Sequence, residues 1–185
     1  MQPKKSERKI SGQPGVVVTR DLNAQRELIW DALLQRERLL RWWTFQEFKL
    51  NSIPSDLDAE GPLPYVLKAE GGTEVYGLLQ IQDIAPLKRF SFIASFTDKS
   101  GTVISHPFIA GWPLGILIIV NLARSNRKIK LTISAKPFKP GRTGRRIFEN
   151  ERSGLRRGIN RMLDHLEEYL AACNPEFNYI LGEPL

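Results

Sequence analysis

The sequence predicts an α+β fold in which seven antiparallel strands form a curved sheet around one long C-terminal helix. Three observations support this architecture. Segments in which apolar and polar residues alternate fill the chain from 46 to 135, which is the period-two pattern of strands. Turn-forming residues separate these segments, so consecutive strands can pair as hairpins. Residues 146–172 instead carry apolar residues at helical spacing, as expected for an amphipathic helix that covers a sheet.

One strand and two short helices precede the middle region. The β-branched segment VVVTRDL (16–22) is typical of a strand. Asn23 is a suitable N-cap for a helix over 26–34, where apolar residues recur at helical spacing. The apolar pattern is then interrupted, and a second short helix is expected over 37–43.

Two adjacent tryptophans, Trp42 and Trp43, end that second helix. Neighbouring residues in a helix point about 100° apart, so the two rings cannot enter one core together. Leu39 lies close before them in the helix, and the two rings can pack on either side of it. Either the helix ends here and redirects the second ring, or one ring serves a second surface.

The middle of the chain is expected to supply six more strands. The segment EGGT (70–73) is typical of a tight hairpin turn. Alternation is clearest in FSFIASF (90–96) and KIKLTIS (128–134), where apolar residues occupy one face. One buried and one solvated face are typical of an antiparallel sheet that is covered on a single side. The six strands are expected over 46–57, 63–69, 74–84, 88–97, 115–124 and 127–135.

The long helix predicted over 146–172 contains two glycines, Gly154 and Gly158, which lie one helical turn apart. Each glycine costs about 1 kcal/mol of helix stability relative to alanine. Two explanations are open. The glycines allow the helix to pack closely on the sheet, or they leave room beneath it for a ligand.

Length and composition limit the classes of protein to which the chain can belong. Its 185 residues, of which 42% are hydrophobic and 25% charged, suffice for one sizeable core. We expect one domain over 16–172, a disordered polar arm over 1–15, and a tail over 173–185 whose apolar residues favour docking on the domain. No segment resembles a membrane span or a secretory signal, which predicts a cytoplasmic protein. Cys173 is the only cysteine, so neither a disulfide nor a cysteine metal site is expected.

Basic residues are concentrated in the N-terminal arm and in the last third of the chain, and the net charge is +7. Such a patch can bind phosphates non-specifically, but a run of charges is more often the solvated face of a helix. No nucleic-acid-binding motif accompanies the charge. We therefore expect no specific nucleic-acid partner, while a protein partner on the basic face stays open.

Four segments resemble, in the same order, motifs of one protein family. They are NAQRELIWDALLQRERLLRWWT (23–44), IAPLKRFSF (84–92), SHP (105–107) and GLRRGINRMLDHLEEYL (154–170). Over about residues 16–172 the chain resembles the activator of heat-shock protein 90 ATPase homologue-like family, within the START-like (SRPBCC, birch-pollen-allergen-like) superfamily. The resemblance implies a helix-grip fold with a cavity between the sheet and the C-terminal helix. It also implies that one ring of the tryptophan pair anchors the second helix to the sheet and that the other faces the cavity, unless both rings are purely structural.

The chain departs from the family pattern in several places. Gln25 stands where the family usually has proline, Gln35–Arg36 replaces an Asp-Pro turn, and Leu155 replaces a tryptophan. The segment FIAGWPLG (108–115) looks like an insertion after the Ser-His-Pro motif. It is either a lid over the mouth of the cavity or a loop packed on the edge of the sheet.

The resemblance and the aromatic positions together imply an apolar ligand cavity. Arg20, Tyr65, Tyr76 and His106 are the polar candidates for orienting a ligand. His106 is also the usual type of catalyst, although a lone histidine in a turn more often only forms hydrogen bonds. No metal-ligand spacing, phosphate loop or nucleophile motif occurs, so we expect no catalytic residue, no metal and no cofactor. The expected cavity residues are Trp42, Trp43, Phe48, Tyr65, Leu67, Phe92, Phe96, His106, Ile118, Leu155, Ile159 and Met162.

Three functions are compatible with these expectations. The first, which the sequence favours, is binding of a hydrophobic small molecule (a lipid, polyketide or aromatic compound) without catalysis. The second is an enzyme of the cyclase/aromatase or hydrolase kind known among START-like proteins. It would need a polar cavity group with a perturbed pKa, for which only Tyr65 and His106 qualify. The third, implied by the family's name, is a chaperone cofactor or another protein-interaction module that uses the basic face.

Overall fold

The structure is a computed structural model that describes residues 15–173 of the chain. The N-terminal arm before Gly15 and the C-terminal tail after Cys173 lie outside the described residues. The expectations of a disordered arm and of a docking tail fall on these two segments.

Three helices and nine strands make up the described part. The helices are α1 (Arg26–Leu34), α2 (Arg36–Trp42) and α3 (Arg142–Cys173). The strands are β1 (Val16–Leu22), β2 (Thr44–Phe45), β3 (Phe48–Ser52), β4 (Pro62–Ala69), β5 (Glu74–Ala85), β6 (Arg89–Thr97), β7 (Val103–Ile104), β8 (Ile116–Ser125) and β9 (Lys128–Pro137).

The strands form one antiparallel sheet. Its order is β1-β9-β8-β6-β5-β4-β3-β2, and β7 pairs with β6 beside this path. β1 and β2 are therefore the two edge strands. The sheet curls into a half-barrel around α3, with the two short helices following β1. The predicted α+β, helix-grip-like architecture is confirmed.

The predicted count of seven strands is wrong, since the described residues form nine. Only the middle of the segment 46–57, expected to be a strand throughout, forms a strand, β3. Gln46 has φ 56° and turns the chain between β2 and β3, and β3 ends at Ser52. An ordinary side chain in the left-handed region leaves no mark on an alternating pattern. β7 has two residues, too few for any periodicity.

The helix boundaries also differ from the expected ones. Gln25, not Asn23, is the N-cap residue of α1, and it forms no side-chain cap hydrogen bond. α2 begins at Arg36 and ends at Trp42. α3 begins at Arg142 rather than at residue 146. The expected start is too late because the sequence there, with Gly141 and Gly144, has the composition of a turn.

Arg20 joins the edge strand β1 to α3. Its guanidinium donates hydrogen bonds to Asp164 at 2.8 Å and to a carboxylate oxygen of Glu167. It also contacts the side-chain oxygen of Asn160 at 3.3 Å. The Arg20 side chain is 24% exposed, so solvent screens these pairs less than fully exposed ones. Arg20 is thus committed to holding the helix and is not a polar group of the cavity.

Two arginines of α3 also join the helix to β1, by binding backbone carbonyl groups at the open edge of the strand. Arg152 donates to the carbonyl oxygen of Gly15 at 3.0 Å, and Arg156 donates to that of Val17 at 2.9 Å. An edge strand has unpaired backbone groups that can pair with another chain. The two arginines occupy part of this edge. Some of the basic residues in the last third of the chain therefore have a structural role.

The two helix glycines have different surroundings. A Cβ built at Gly158 would lie 2.6 Å from Cζ of Phe45, closer than atoms pack in protein interiors. The ring of Phe45, on the edge strand β2, therefore rests on the bare backbone of α3. A Cβ at Gly154 would have its nearest neighbours at 3.7 and 3.9 Å, which is ordinary contact. Close packing thus explains Gly158 but not Gly154.

We expect Gly154→Ala to stabilise the protein. We expect the Gly158→Ala variant to be less stable than the Gly154→Ala variant by about 1–3 kcal/mol. Alanine favours the helix by about 1 kcal/mol at either position. At position 158 the new methyl group must also displace the ring of Phe45, and overpacking of this kind costs about 1–3 kcal/mol. Urea unfolding of the two variants measures the difference. Equal stabilisation by both substitutions would contradict the contact at Gly158.

Candidate ligand-binding cavity

An apolar chamber of about 180 Å³ lies between the concave face of the sheet and α3. Strands β4, β6 and β8 line it from the sheet, α2 from one side and α3 from above. It brings together the predicted residues Trp42, Trp43, Tyr65, Leu67, Phe92, Phe96, Ile118, Leu155, Ile159 and Met162. Its further lining residues are Leu33, Leu39, Phe45, Leu57, Phe90, Ala94, Val120 and Ile133.

A second chamber, of about 190 Å³, adjoins the apolar chamber. We call it the histidine chamber because His106 lines it. It is more polar, since Gln46, Ser95 and Glu151 also line it. The two chambers share the wall residues Phe45, Tyr65, Ala94, Phe96, Ile118 and Leu155.

Phe48 lines neither chamber. Its buried ring stacks on the exposed ring of Phe108 in the segment 108–115, with centroids 5.9 Å apart. The remaining expected cavity residues all line one chamber or both.

Four of the lining residues that were not expected show what the sequence pattern contains and what it does not. Phe90 and Ala94 lie on the same face of β6 as the predicted residues of that strand, so the alternating pattern already contained them. Phe45 comes from a two-residue strand, and Leu57 from the loop after β3. No periodic signal marks residues in such segments.

The two adjacent tryptophans both line the apolar chamber, but their other contacts differ. The indole nitrogen of Trp42 donates to the carbonyl oxygen of Ala32 at 2.8 Å, so this buried ring ties α2 to α1. Trp43 has an extended backbone and follows the end of α2. Its ring stacks on that of Tyr65, with centroids 6.3 Å apart, and lines the apolar chamber.

The segment 108–115 supplies part of the wall of the histidine chamber. Ile109 and Trp112 line the chamber, and the buried ring of Trp112 lies 5.6 Å from that of Phe148 on α3. Gly111 has φ 76°, and a Cβ there would lie 3.1 Å from a side-chain atom of α3. Glycine permits both the conformation and the close approach. The segment therefore packs on the first turns of α3.

His106 is held with a defined tautomer. Its Nδ1 accepts hydrogen bonds from the backbone N–H groups of Phe108 at 3.0 Å and Ile109 at 3.2 Å. An accepting Nδ1 carries no proton, so the proton of the neutral ring is on Nε2. The ring lies against Phe96, with centroids 4.4 Å apart. Burial lowers the pKa of His106, and the ring is therefore a neutral donor in the chamber wall near neutral pH.

Tyr65 carries the polar group of the wall that the two chambers share. Its ring lies across Gly77, where a Cβ would come within 2.2 Å of Tyr65 Cζ. Burial raises the pKa of Tyr65, so its hydroxyl stays protonated at neutral pH. The hydroxyl forms no hydrogen bond with any residue between 15 and 173. The hydroxyl oxygen is not among the fully buried polar atoms, so water, or a polar group of a bound molecule, can reach it.

The other expected polar candidate lies elsewhere. The hydroxyl of Tyr76 donates to an exposed carboxylate oxygen of Glu74 at 2.5 Å, and Tyr76 lines neither chamber. Within the described part of the chain, no three His, Cys, Asp or Glu residues are grouped so as to hold a metal ion. Over the same residues, no helix is both long and apolar enough to cross a membrane.

Comparisons with known proteins agree with this architecture. Residues 23–171 match the model of a family described as Activator of Hsp90 ATPase homolog 1-like protein. Among curated proteins, none matches the chain.

Solved structures with this fold come from several bacteria. The AHSA1 protein of Silicibacter pomeroyi is 13% identical, with a TM-score of 0.67 over 86% of this chain and 99% of its own. A protein of Arthrobacter aurescens is 16% identical, with a TM-score of 0.70 over 85% and 86% of the two chains. A protein of Nitrosomonas europaea is 17% identical, with a TM-score of 0.67 over 87% and 96%. At these identities the likeness establishes the fold alone.

We expect the protein to lose stability as the pH falls from about 7 to about 5, in part because of His106. The unfolded chain takes up a proton at the ordinary histidine pKa of about 6.5, whereas the folded protein does so only at lower pH because its pKa is lowered. Between these values the unfolded state binds more protons, so acid favours unfolding. In the His106→Asn variant, the amide oxygen can accept hydrogen bonds from the same N–H groups and does not titrate. The loss of stability on acidification should therefore be smaller than in the wild type. Urea unfolding across this pH range measures it.

The matched control is His165→Asn, which removes the other histidine of the chain from the outer side of α3, where it lies 3.7 Å from Glu168. A pH dependence that is reduced equally by both substitutions, or by neither, would contradict the role assigned to His106.

Proposed function

The chain belongs to the family of Activator of Hsp90 ATPase homolog 1-like proteins, and we propose that it binds a small, largely apolar molecule in the two joined chambers beneath α3. The single observation that supports this most strongly is the shared wall of the chambers. Aromatic and aliphatic side chains form this wall, and the hydroxyl of Tyr65, whose ring is buried, forms no hydrogen bond in the described part of the chain. Ligand sites typically combine apolar walls with a few polar groups that fix orientation.

The size of the chambers narrows the ligand class. An engineered apolar cavity of about 150 Å³ binds benzene, and the apolar chamber has about 180 Å³. Sites for drug-sized molecules have about 300–1,000 Å³. One aromatic ring or a short acyl chain therefore suits the apolar chamber, with a polar substituent in the histidine chamber. Among lipids, polyketides and aromatic compounds, a compact aromatic molecule fits best.

The polar groups favour a ligand that can accept hydrogen bonds. Tyr65 has a protonated hydroxyl and His106 a protonated Nε2, and both residues line the histidine chamber. A carbonyl, phenol or ether oxygen on the ligand could accept from either. Each such bond contributes about 0.5–1.5 kcal/mol, so they orient the ligand while burial of its apolar surface provides most of the affinity.

Catalysis remains the alternative, since Tyr65 and His106 line the same chamber. A tyrosine with a raised pKa suits a hydrogen-bond donor, and is neither a good general acid nor a good nucleophile near neutral pH. Recovery of the bound compound unchanged after prolonged incubation would favour binding alone. A protein partner on the basic face gains less support, because Arg152 and Arg156 are already engaged with β1. The cytoplasmic location expected from the sequence stays a prediction.

We expect indole, cresol or naphthol to bind with a dissociation constant below about 1 mM, and Ala94→Leu to weaken this binding at least tenfold. Ala94 lines both chambers, so a larger side chain there fills the space a ligand would occupy. Filling a cavity should leave stability unchanged or raise it, which separates lost binding from lost folding. Titration calorimetry measures the affinity.

The matched control is Ala123→Leu, which places the same side chain at an exposed position of β8 outside both chambers. Binding of none of the compounds by the wild-type protein, or undiminished binding by Ala94→Leu, would overturn the proposed function.

A further inference from the structure

We propose that the ligand of the two chambers carries an anionic oxygen group, a carboxylate or a phosphate, which Arg157 and Arg161 bind at the mouth beside α3. This inference rests on the proposed function, since it concerns the charged end of the same ligand. It specifies that ligand as a small amphiphile rather than a neutral apolar compound.

A groove of about 190 Å³ on α3 provides the binding surface. We call it the arginine groove. On α3 it is lined by Gly154, Arg157, Gly158 and Arg161, and across from the helix by Gln46 in the turn between β2 and β3. The two arginines are one helical turn apart, as are the two glycines, so the guanidinium groups stand beside a bare stretch of helix backbone.

The arginine groove adjoins the histidine chamber. Gln46 and Gly154 line both the groove and the histidine chamber. The histidine chamber in turn shares its wall with the apolar chamber. A molecule with its ring in the apolar chamber can therefore extend past Gly154 and place its head in the groove.

Gly154 supports this path independently. Glycine inside a helix costs about 1 kcal/mol, and close packing does not explain it here, because a Cβ would have no neighbour within 3.7 Å. Its position on the rim shared by the groove and the chamber gives a reason. Any side chain there would narrow the passage between the two.

The charges at the rim favour an anion. Nη2 of Arg157 lies 3.9 Å from the position of a Cβ on Gly154, so this guanidinium reaches over the rim. Within residues 15–173, no carboxylate lies within ion-pair distance of Arg157 or Arg161. The two guanidinium groups outnumber the single carboxylate at this rim, that of Glu151. Arginine pairs are well suited to bind carboxylate or phosphate oxygens through two hydrogen bonds each.

The inference is tested with compounds that have the same apolar part and differ only in the charge of the terminal group. Hydrocinnamate, hydrocinnamyl alcohol and hydrocinnamylamine each carry one phenyl ring on a three-carbon chain. We expect the wild-type protein to bind the carboxylate about three- to tenfold more tightly than the alcohol, because the arginines are exposed and their pairs are partly screened. The amine should bind most weakly. Titration calorimetry at low and high salt should show the preference falling as salt rises.

The decisive variant is the double substitution Arg157→Gln with Arg161→Gln. It should abolish the preference for the carboxylate and leave the affinity for the alcohol unchanged. The matched control is Arg142→Gln with Arg146→Gln, which removes the same charge at the same spacing from exposed positions of α3 outside the chambers and the groove. The control should keep the preference. Hydrocinnamyl phosphate, compared with hydrocinnamate on the wild-type protein, distinguishes the two kinds of anion.

The possible failures are separable. Equal binding of the alcohol and the carboxylate, tighter binding of the amine, or a preference that survives the loss of both groove arginines would each overturn the anionic ligand and leave the proposed function standing. A preference lost equally in the control would also overturn it, since the effect would then be one of net charge. Failure of every compound to bind would overturn the proposed function, and the inference with it.

Discussion

The attachment of α3 to both edges of the curled sheet is the constraint on which the rest of the structure depends. At one edge, Arg20 of β1 binds carboxylates of the helix. At the other edge, Phe45 of β2 rests on the backbone of α3 at Gly158. The strands between these edges curve away from the helix axis, so the inner side chains of β6 and β8 face α3 across a space that they do not fill. The cavity is thus a consequence of how the helix is held.

That space determines the protonation of Tyr65 and His106. An apolar wall cannot stabilise an ion, so burial raises the pKa of Tyr65 and lowers that of His106. Both groups are then neutral donors near neutral pH. The walls thus offer donors without charge, and the charged groups at the mouth lie where water can reach them. This division matches a ligand whose body is apolar and whose polar end faces outward.

The sequence predicted the parts of the fold that depend on periodicity and failed where a single residue sets the backbone or a distant partner sets a role. The alternation of β6 placed Phe92 and Phe96 on the inner face correctly. Gln46 turns the chain at the start of one expected strand through its positive φ, which no pattern of side chains encodes. Arg20 could not be assigned either, because its partners on α3 lie more than a hundred residues further along the chain. Ligand binding produces no periodic pattern in a sequence. The assignment of the site residues to a ligand therefore stays a prediction.

Residues of one type that are adjacent in the sequence need not form one surface of the protein. Arg156 binds the carbonyl of Val17 on β1, whereas Arg157 lines the groove at the opposite side of α3. The rotation of about 100° per residue separates them, as the end of α2 separates Trp42 from Trp43. The basic residues of α3 therefore include one stripe, Arg152 and Arg156, that binds the edge strand β1. A second stripe, Arg157 and Arg161, is available to bind a ligand. Only the second stripe borders the cavity, and this places the available positive charge where a ligand would enter.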